Sequence, residues 1–382
     1  FCGVLKGAGK GKTVVTSIEQ PNFDDVVSQN LYPVLLKFVG GDVCVKNITF
    51  LNNAENTYWF EGFVGFFGWS QVYEPENWYI NVVIDNIEMI SESRKVGYGV
   101  MTGSDSKGMP GGVPFCNIDI AVTNSYFAEC NWYGLLIMQL AEGNVKVGSK
   151  NSGNTFVNTN AWSYGNLGFY HFVNTKVSVV GNHFESNNGR SGGIDLANGA
   201  YLSFNQGYPQ EYATVVTIEH NTFDVSDYQF VFLIGDNWRW DYPDDEPMLV
   251  QLKSNKITSN NISWQIIRFG SVSEAVVRNN KFSGGGEIGL YAYTLYDVFS
   301  ENCLMLGNNF TNASYNRATI ELDEGTRNWT IVGGNIGQDV IDNGENNLIS
   351  GFNNNTSDIP FGQTIVDNLD EMKGPMHDLK GH

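Results

Sequence analysis

The sequence predicts an all-β chain folded as a single right-handed parallel β-helix of about ten coils, closed at its C-terminal end by an amphipathic helical cap. Three observations carry that expectation. The chain is built of short Val, Ile, Phe and Tyr runs broken every few residues by Asn, Gly or Ser; an Asn-x-aromatic phrase recurs along its length; and a second apolar phrase follows each of these after a turn.

Composition sets the class. Of 382 residues, 42% are hydrophobic and only 16% charged, against about 25% charged in an ordinary domain. Such apolarity argues against disorder. The absence of a 3.6-residue apolar period argues against a helical bundle. Length alone does not demand several domains, because a solenoid extends one core indefinitely by stacking.

The repeat is visible around Asn154-Thr155-Phe156, Asn182-His183-Phe184, Asn221-Thr222-Phe223, Asn255-Lys256-Ile257, Asn280-Lys281-Phe282, Asn309-Phe310 and Asn335-Ile336. A form one residue longer occurs earlier, as Asn47-Ile48-Thr49-Phe50, Asn86-Ile87-Glu88-Met89 and Asn124-Ser125-Tyr126-Phe127. Its spacing of roughly 25 to 40 residues suits a coil of short strands with loops of variable length at a corner. A lone coil cannot bury its apolar side chains. Stacking at ~4.8 Å pairs its backbone with its neighbours and brings like residues into ladders. The Asn is expected at the inward turn, where its amide satisfies backbone groups and stacks on the next Asn. Asn47 and Asn309, which also lie in glycosylation sequons, are therefore expected to be buried.

The second phrase includes Gly99-Val100-Met101, Gly134-Leu135-Leu136-Ile137, Gly168-Phe169-Tyr170, Gly193-Ile194-Asp195-Leu196, Gly289-Leu290-Tyr291 and Thr319-Ile320-Glu321-Leu322. Alternation of strand side chains places one residue of each phrase outward. Read coil by coil, that residue is Met101, Leu136, Tyr170, Asp195, Phe232, Ile267, Tyr291 and Glu321, with Tyr293 and Asp323 two residues further on. After Asp358-Ile359-Pro360, the residues Ile365, Leu369, Met372, Met376 and Leu379 recur at helical spacing. Residues 1–360 are accordingly read as the solenoid and 361–382 as its cap. The opening Phe1-Cys2-Gly3-Val4-Leu5 reads as the middle of a strand, so a removed leader and part of an N-terminal cap are expected before it.

These repeats resemble the right-handed parallel β-helix of the pectate-lyase-like superfamily, and Leu5-Lys6-Gly7-Ala8-Gly9-Lys10-Gly11-Lys12-Thr13-Val14-Val15 looks like that superfamily's entry to its first full coil. The resemblance implies a secreted or cell-surface protein acting on a polysaccharide or other glycan. It carries no particular reaction: the Gly-His-Gly and paired-Asp motifs of the polygalacturonase-like hydrolases, the Arg-x-Pro-x-x-Arg of pectate lyases and the Asp-Pro-His-Asp of alginate epimerases are all missing. The Lys and Gly residues at the start do not have Walker-loop spacing.

Charge narrows the partners. A net charge of -19 repels nucleic acid and anionic lipid, and no apolar run reaches the roughly 18 to 20 residues of a membrane span. No cofactor is firmly implied; the expected ligand is neutral, or an acidic one bridged by a cation such as calcium, which takes oxygen ligands, and an acidic polysaccharide would need a local basic patch. Cys2, Cys44, Cys116, Cys130 and Cys303 lack metal-ligand spacing and read as small core residues.

Sugar sites combine flat rings with carboxylates and guanidinium groups. The substrate-binding candidates are Tyr170, Tyr291, Tyr293, Glu321, Asp323 and Arg268, together with Trp238 and Trp240 in the acidic loop Gly235-Asp236-Asn237-Trp238-Arg239-Trp240. A second aromatic loop runs from Trp69 to Trp78. Hydrolysis needs two carboxylates ~5 to 9.5 Å apart. With several coils between Asp195 and Glu321, the expected catalytic pair is Asp195 with Asp236. A lyase would instead use Arg190, His171 and Asp195, with Tyr170 as a second proton donor. The expected activity is that of a lyase or glycoside hydrolase. The alternative is a non-catalytic carbohydrate-binding or adhesive protein. A monomer is favoured over the trimer that a tailspike-like depolymerase would form.

Overall fold

In a computed structural model, the structure describes residues 3–16, 34–38, 41–55, 59–68, 80–104, 118–140, 142–159, 165–172, 174–187, 191–196, 214–235, 248–272, 274–294, 299–336 and 340–350. These residues are all-β, without a helix, so none of them forms a helix long and apolar enough to cross a membrane. The expected cap at 361–382 lies outside them.

Strands join in a single 29-stranded sheet in which every pairing is parallel, and a small two-stranded sheet joins Ser300–Glu301 to Thr326–Arg327. The pairings resolve into three ladders, because each strand bonds to its equivalents one coil before and one coil after. The first ladder stacks Gly3–Lys6, Gly41–Lys46, Ile80–Asp85, Ile118–Thr123, Gly143–Val147, Thr175–Val180, Thr214–Glu219, Met248–Lys253 and Glu274–Arg278. The second runs from Val14–Val15 through Thr49–Asn52, Glu88–Ser91, Tyr126–Ala128, Thr155–Val157, His183–Ser186 and Thr222–Ser226. The third stacks Val34–Phe38, Phe60–Gly68, Val96–Ser104, Tyr133–Leu140, Leu167–Phe172, Ser191–Leu196 and Phe230–Ile234. Further on, the second and third ladders merge, since Lys256–Gly270, Lys281–Tyr293 and Leu304–Leu322 each run through both. The result is a solenoid-like fold compatible with a parallel β-helix.

One apolar core runs down the middle, fed by all three ladders. Like residues stack along it: Phe127 on Phe156 at 4.8 Å, Phe156 on Phe184 at 5.0 Å, Phe184 on Phe223 at 4.6 Å, and Phe282 on Phe310 at 4.2 Å. Cys130 and Cys303 are buried free thiols, as expected of small core residues, whereas Cys44 is only partly buried.

The corner between the first and second ladders is fixed by asparagine. Asn154, Asn182, Asn221, Asn255, Asn280 and Asn308 are buried in line. Each of the first five donates its Nδ2 to the Oδ1 of the next at 2.9–3.1 Å. The same Oδ1 accepts the backbone N–H of the preceding Asn, and each Nδ2 also reaches a first-ladder carbonyl, such as that of Val179 for Asn221. A turn that would bury unpaired peptide groups is thereby fully bonded.

The earlier coils differ, and this explains their longer phrase. Asn47, Asn86 and Asn124 hold the left-handed position one residue before the inward one, with φ of 59°, 53° and 51°; Gly181, His220, Ser254, Asn279 and Gly307 hold it later. Asn and Gly adopt this conformation at least cost. The inward position itself is Ile48, Ile87 and then Ser125, whose N–H reaches Asn154 Oδ1 at 2.9 Å.

Two expectations are corrected. The ladder residue in the Asn308-Asn309-Phe310 stretch is Asn308, and Asn309 is exposed, turned outward by the alternation that turns its neighbours in. Asn47 is only partly buried, at the left-handed position.

Substituting Asn221→Ala removes two donated bonds and leaves the N–H of Asn182 buried without its acceptor. A loss of roughly 3 kcal/mol is expected in urea unfolding, against less than about 1 kcal/mol for Asn309→Ala. Equal losses would contradict the ladder's assignment.

Candidate functional site

The outer face of the third ladder is where the sequence places the chemistry. The strand register identifies one outward file: Met101, Leu136, Gly168, Asp195, Leu233, Arg268, Tyr291 and Glu321. Two members expected by alternation are corrected. Phe232 and Ile267 point inward, where Phe232 meets the Phe223 ring at 4.7 Å. The alternation fails because register shifts occur between Ser191 and Ile194 and between Ile262 and Gln265, and such irregularities re-aim side chains. Tyr170 lies in the next file, opposite Met138.

The first half of this face is not the exposed stripe that the sequence suggested. Met101, Tyr133, Leu136 and Met138 are buried in a second apolar cluster, with Val34, Tyr98, Trp132 and Tyr170 packed against it. Asp195 is fully buried there. Its Oδ2 accepts the hydroxyl of Tyr133 at 3.0 Å and that of Tyr170, and the two hydroxyls lie 2.6 Å apart. Gly168 makes this possible. It separates Leu136 from Asp195 in the file, and a Cβ there would come within about 3 Å of the Tyr133 and Tyr170 rings. Burial, followed by the charge of Asp195, holds both phenols well above their ordinary value. They therefore act as donors to a dry carboxylate. Tyr170 and Asp195 are brought together, but in a closed polar network.

The second half is more open. Arg268, Tyr291 and Glu321 follow one another on consecutive coils. Tyr293 stacks on Tyr291 at 5.3 Å, and Gly270 leaves room for its ring. The Arg268 guanidinium lies 4.6 Å from the Tyr293 ring centre, 5.3 Å from Phe230 and 5.9 Å from Trp264. Trp264 itself is 46% exposed. Tyr291 donates to Asp323 Oδ2 at 2.9 Å, and the N–H of Glu324 donates to Oδ1. Burial, with the Asp323 carboxylate beside it, pushes the Tyr291 phenol up to about 12. Glu321 is 4% exposed; Arg317, four residues before it on the same strand, bonds Oε1, and Oε2 has no hydrogen-bond partner among the described residues. Loss of water raises the Glu321 carboxyl, Arg317 opposes the shift and Asp323 adds to it.

Four strand steps, Asp195 to Leu233 to Arg268 to Tyr291 to Glu321, put four intervals of ~4.8 Å between the two acids, about 19 Å. Asp195 and Glu321 are therefore not one catalytic pair. Asp236, Trp238, Trp240, Arg190, the Trp69 to Trp78 loop and the side chain of His171 lie outside the described residues. Among the described residues no cluster of three or more His, Cys, Asp or Glu could hold a metal ion. Sequence reasoning missed Tyr133, Phe230, Trp264 and Arg317. Only Arg317 left a local signal, its i,i+4 spacing to Glu321.

No protein-family model, curated protein or solved structure matches the chain.

The buried phenols have a measurable consequence. Because their native values lie above the unfolded value of about 10, their contribution to stability is full below that pH and is lost as pH rises above it, where the unfolded chain ionises first. Thermal melting should fall more steeply above about pH 10 in the wild type than in the Tyr133→Phe/Tyr170→Phe double variant. Parallel curves would show that these hydroxyls do not titrate differently in the two states.

Proposed function

We propose that this protein is a polysaccharide-active β-solenoid, secreted or displayed at a cell surface, and that it works on the open half of the third ladder's outer face. The finer fold reading belongs to the same proposal: a right-handed parallel β-helix of the pectate-lyase-like kind, of about ten coils over residues 1–360, with a helical cap at 361–382. The observation that carries the functional reading is the succession of Arg268, Tyr291 and Glu321 on adjacent coils, flanked by Tyr293, Trp264 and Asp323. Rings offer flat apolar faces to the C–H side of a sugar, while the guanidinium and carboxylates hold hydroxyls.

Hydrolysis is the reaction these groups fit best. Glu321 lies opposite Tyr291, and Asp323, just past the end of the same strand, accepts the Tyr291 hydroxyl, so two carboxyls flank one tyrosine as an inverting glycosidase requires of its acid and base. Glu321, its carboxyl raised, gives its proton to the leaving glycosidic oxygen. Asp323, oriented by Tyr291, takes a proton from the water that attacks the anomeric carbon from the other side. The C–O bond breaks, water supplies the new oxygen, and each carboxyl ends in the other's starting protonation state.

A second reading, a face that binds glycan without cutting it, is favoured by the burial of Glu321 beneath Arg317. Incubation with a panel of neutral and acidic polysaccharides separates the two. New reducing ends, lowered at least about 100-fold by Glu321→Gln with binding retained, are expected of the hydrolase. Absorbance from an unsaturated uronate would replace hydrolysis by elimination. Binding lost in Trp264→Ala, without any product from the wild type, would leave the binding reading alone, and neither binding nor product would overturn both.

A further inference from the structure

The corner between the first and second ladders carries a charge pattern that the outer-face site does not use. On two consecutive coils the ladder asparagine is bracketed by cations, as Lys253-Ser254-Asn255-Lys256 and Arg278-Asn279-Asn280-Lys281. The register sets Lys253 opposite Arg278 and Lys256 opposite Lys281. In a chain with 22 basic residues against 41 acidic ones, four cations thus share one small corner.

Acids lie near only part of the group: Glu219 faces Lys253, and Asp224 stands diagonally from Lys256, opposite Thr258. Lys256, Arg278 and Lys281 are exposed, and none forms an ion pair among the described residues. Lys253 donates to Gln251 Oε1. On the preceding coil Thr222 faces Lys256. On the following coil the neighbours are Leu306 and Asn309, neither of them acidic. Like charges directly opposite on neighbouring strands oppose folding. Nor do these lysines guard a sheet edge, the usual reason for placing them on strands, because coils are stacked on both sides. Stability gives no account of the cluster.

We infer that this corner is a binding site for an anionic polysaccharide, a linear chain of carboxylate- or sulfate-bearing sugars. The cations stand on backbone locked by the Asn255 and Asn280 amides, so their spacing is set before binding. A convex corner cannot surround a small ion but can lie along a chain. Ser254, Asn279, Thr258, Ser283 and Asn309 beside the cations provide neutral partners for sugar hydroxyls. Nucleic acid fits less well. A body of net charge -19 disfavours the densest polyanions most, and duplex DNA carries a charge every ~1.7 Å, whereas a uronate chain carries no more than a single charge on each sugar ring. The site is separate from the third ladder and does not require that face to be catalytic.

The test measures binding of the whole chain to polygalacturonate oligomers and dextran sulfate, with neutral dextran and a single-stranded oligonucleotide as comparisons, over a range of salt. The triple variant Lys256→Gln/Arg278→Gln/Lys281→Gln should lose at least about tenfold in affinity for one of the acidic sugars, and its log–log salt slope should fall by about 2. Removing the same charge elsewhere, as Lys146→Gln/Lys150→Gln/Lys176→Gln, should leave binding within about twofold. The corner variant should melt at or above the wild-type temperature, since facing like charges have been removed. Equal losses in both triple variants, no loss in either, no binding of any acidic sugar, tighter binding of the oligonucleotide, or a lower melting temperature in the corner variant would each overturn the inference.

Discussion

Every coil must turn inward between its first and second strands, and the turn buries peptide groups that water can no longer reach. From Asn154 onward the asparagine ladder solves this by bonding each coil to the ones before and after it through one side-chain amide. Asn221 Nδ2, for example, reaches both Val179 of the preceding coil and Asn255 of the following one. Loss of one amide would leave unpaired groups in two coils, so the constraint is shared along the stack. The phenylalanine column behind it, from Phe127 to Phe223, follows from the same alignment. Once the turns are in register, the residues two positions on must be as well.

Among the described residues the third ladder has no such row of amides, and its outer face is divided. Toward the N-terminus, Tyr98, Trp132, Tyr133 and Tyr170 form a layer outside the sheet, and Asp195 is drawn into it. Two phenols converge on one carboxylate because Gly168 leaves a notch in the file. Further along, the layer stops: Arg268 and Tyr291 are half-buried with the exposed Trp264 beside them, and the row ends at the buried Glu321. One sheet thus supports a closed polar network and an open polar row within a few coils.

Much of this was legible in the residues. The all-β class and the stacked repeat followed from the recurring Asn-x-aromatic phrase, because the identity of a ladder residue is constrained in every coil at once. The inward placement of Asn154, Asn182, Asn221, Asn255 and Asn280 was legible for the same reason. The choice between Asn308 and Asn309 was not, since two adjacent asparagines offer the same side chain to both faces. The outward file was harder to read. Phe230–Ile234 is apolar and buried at all five positions, so no alternation exists there to be read, and a register shift hides the facing of Ile267. That Asp195 would be covered by Tyr133 depends on Gly168 a coil away, and such a dependence has no local signature.

Where Lys256–Gly270, Lys281–Tyr293 and Leu304–Leu322 run unbroken from the second ladder into the third, the position of each outward residue is set by main-chain hydrogen bonds. The face is in effect a fixed array of addresses. A substitution at Arg268, Tyr291 or Glu321 changes what an address offers without moving it. A single residue inserted within the third-ladder part of one of these strands would do the opposite, turning Leu290 outward in place of Tyr291 or Ile320 in place of Glu321 while the composition stayed almost the same. Variation of this surface is therefore open to exchange of residues and closed to changes of length.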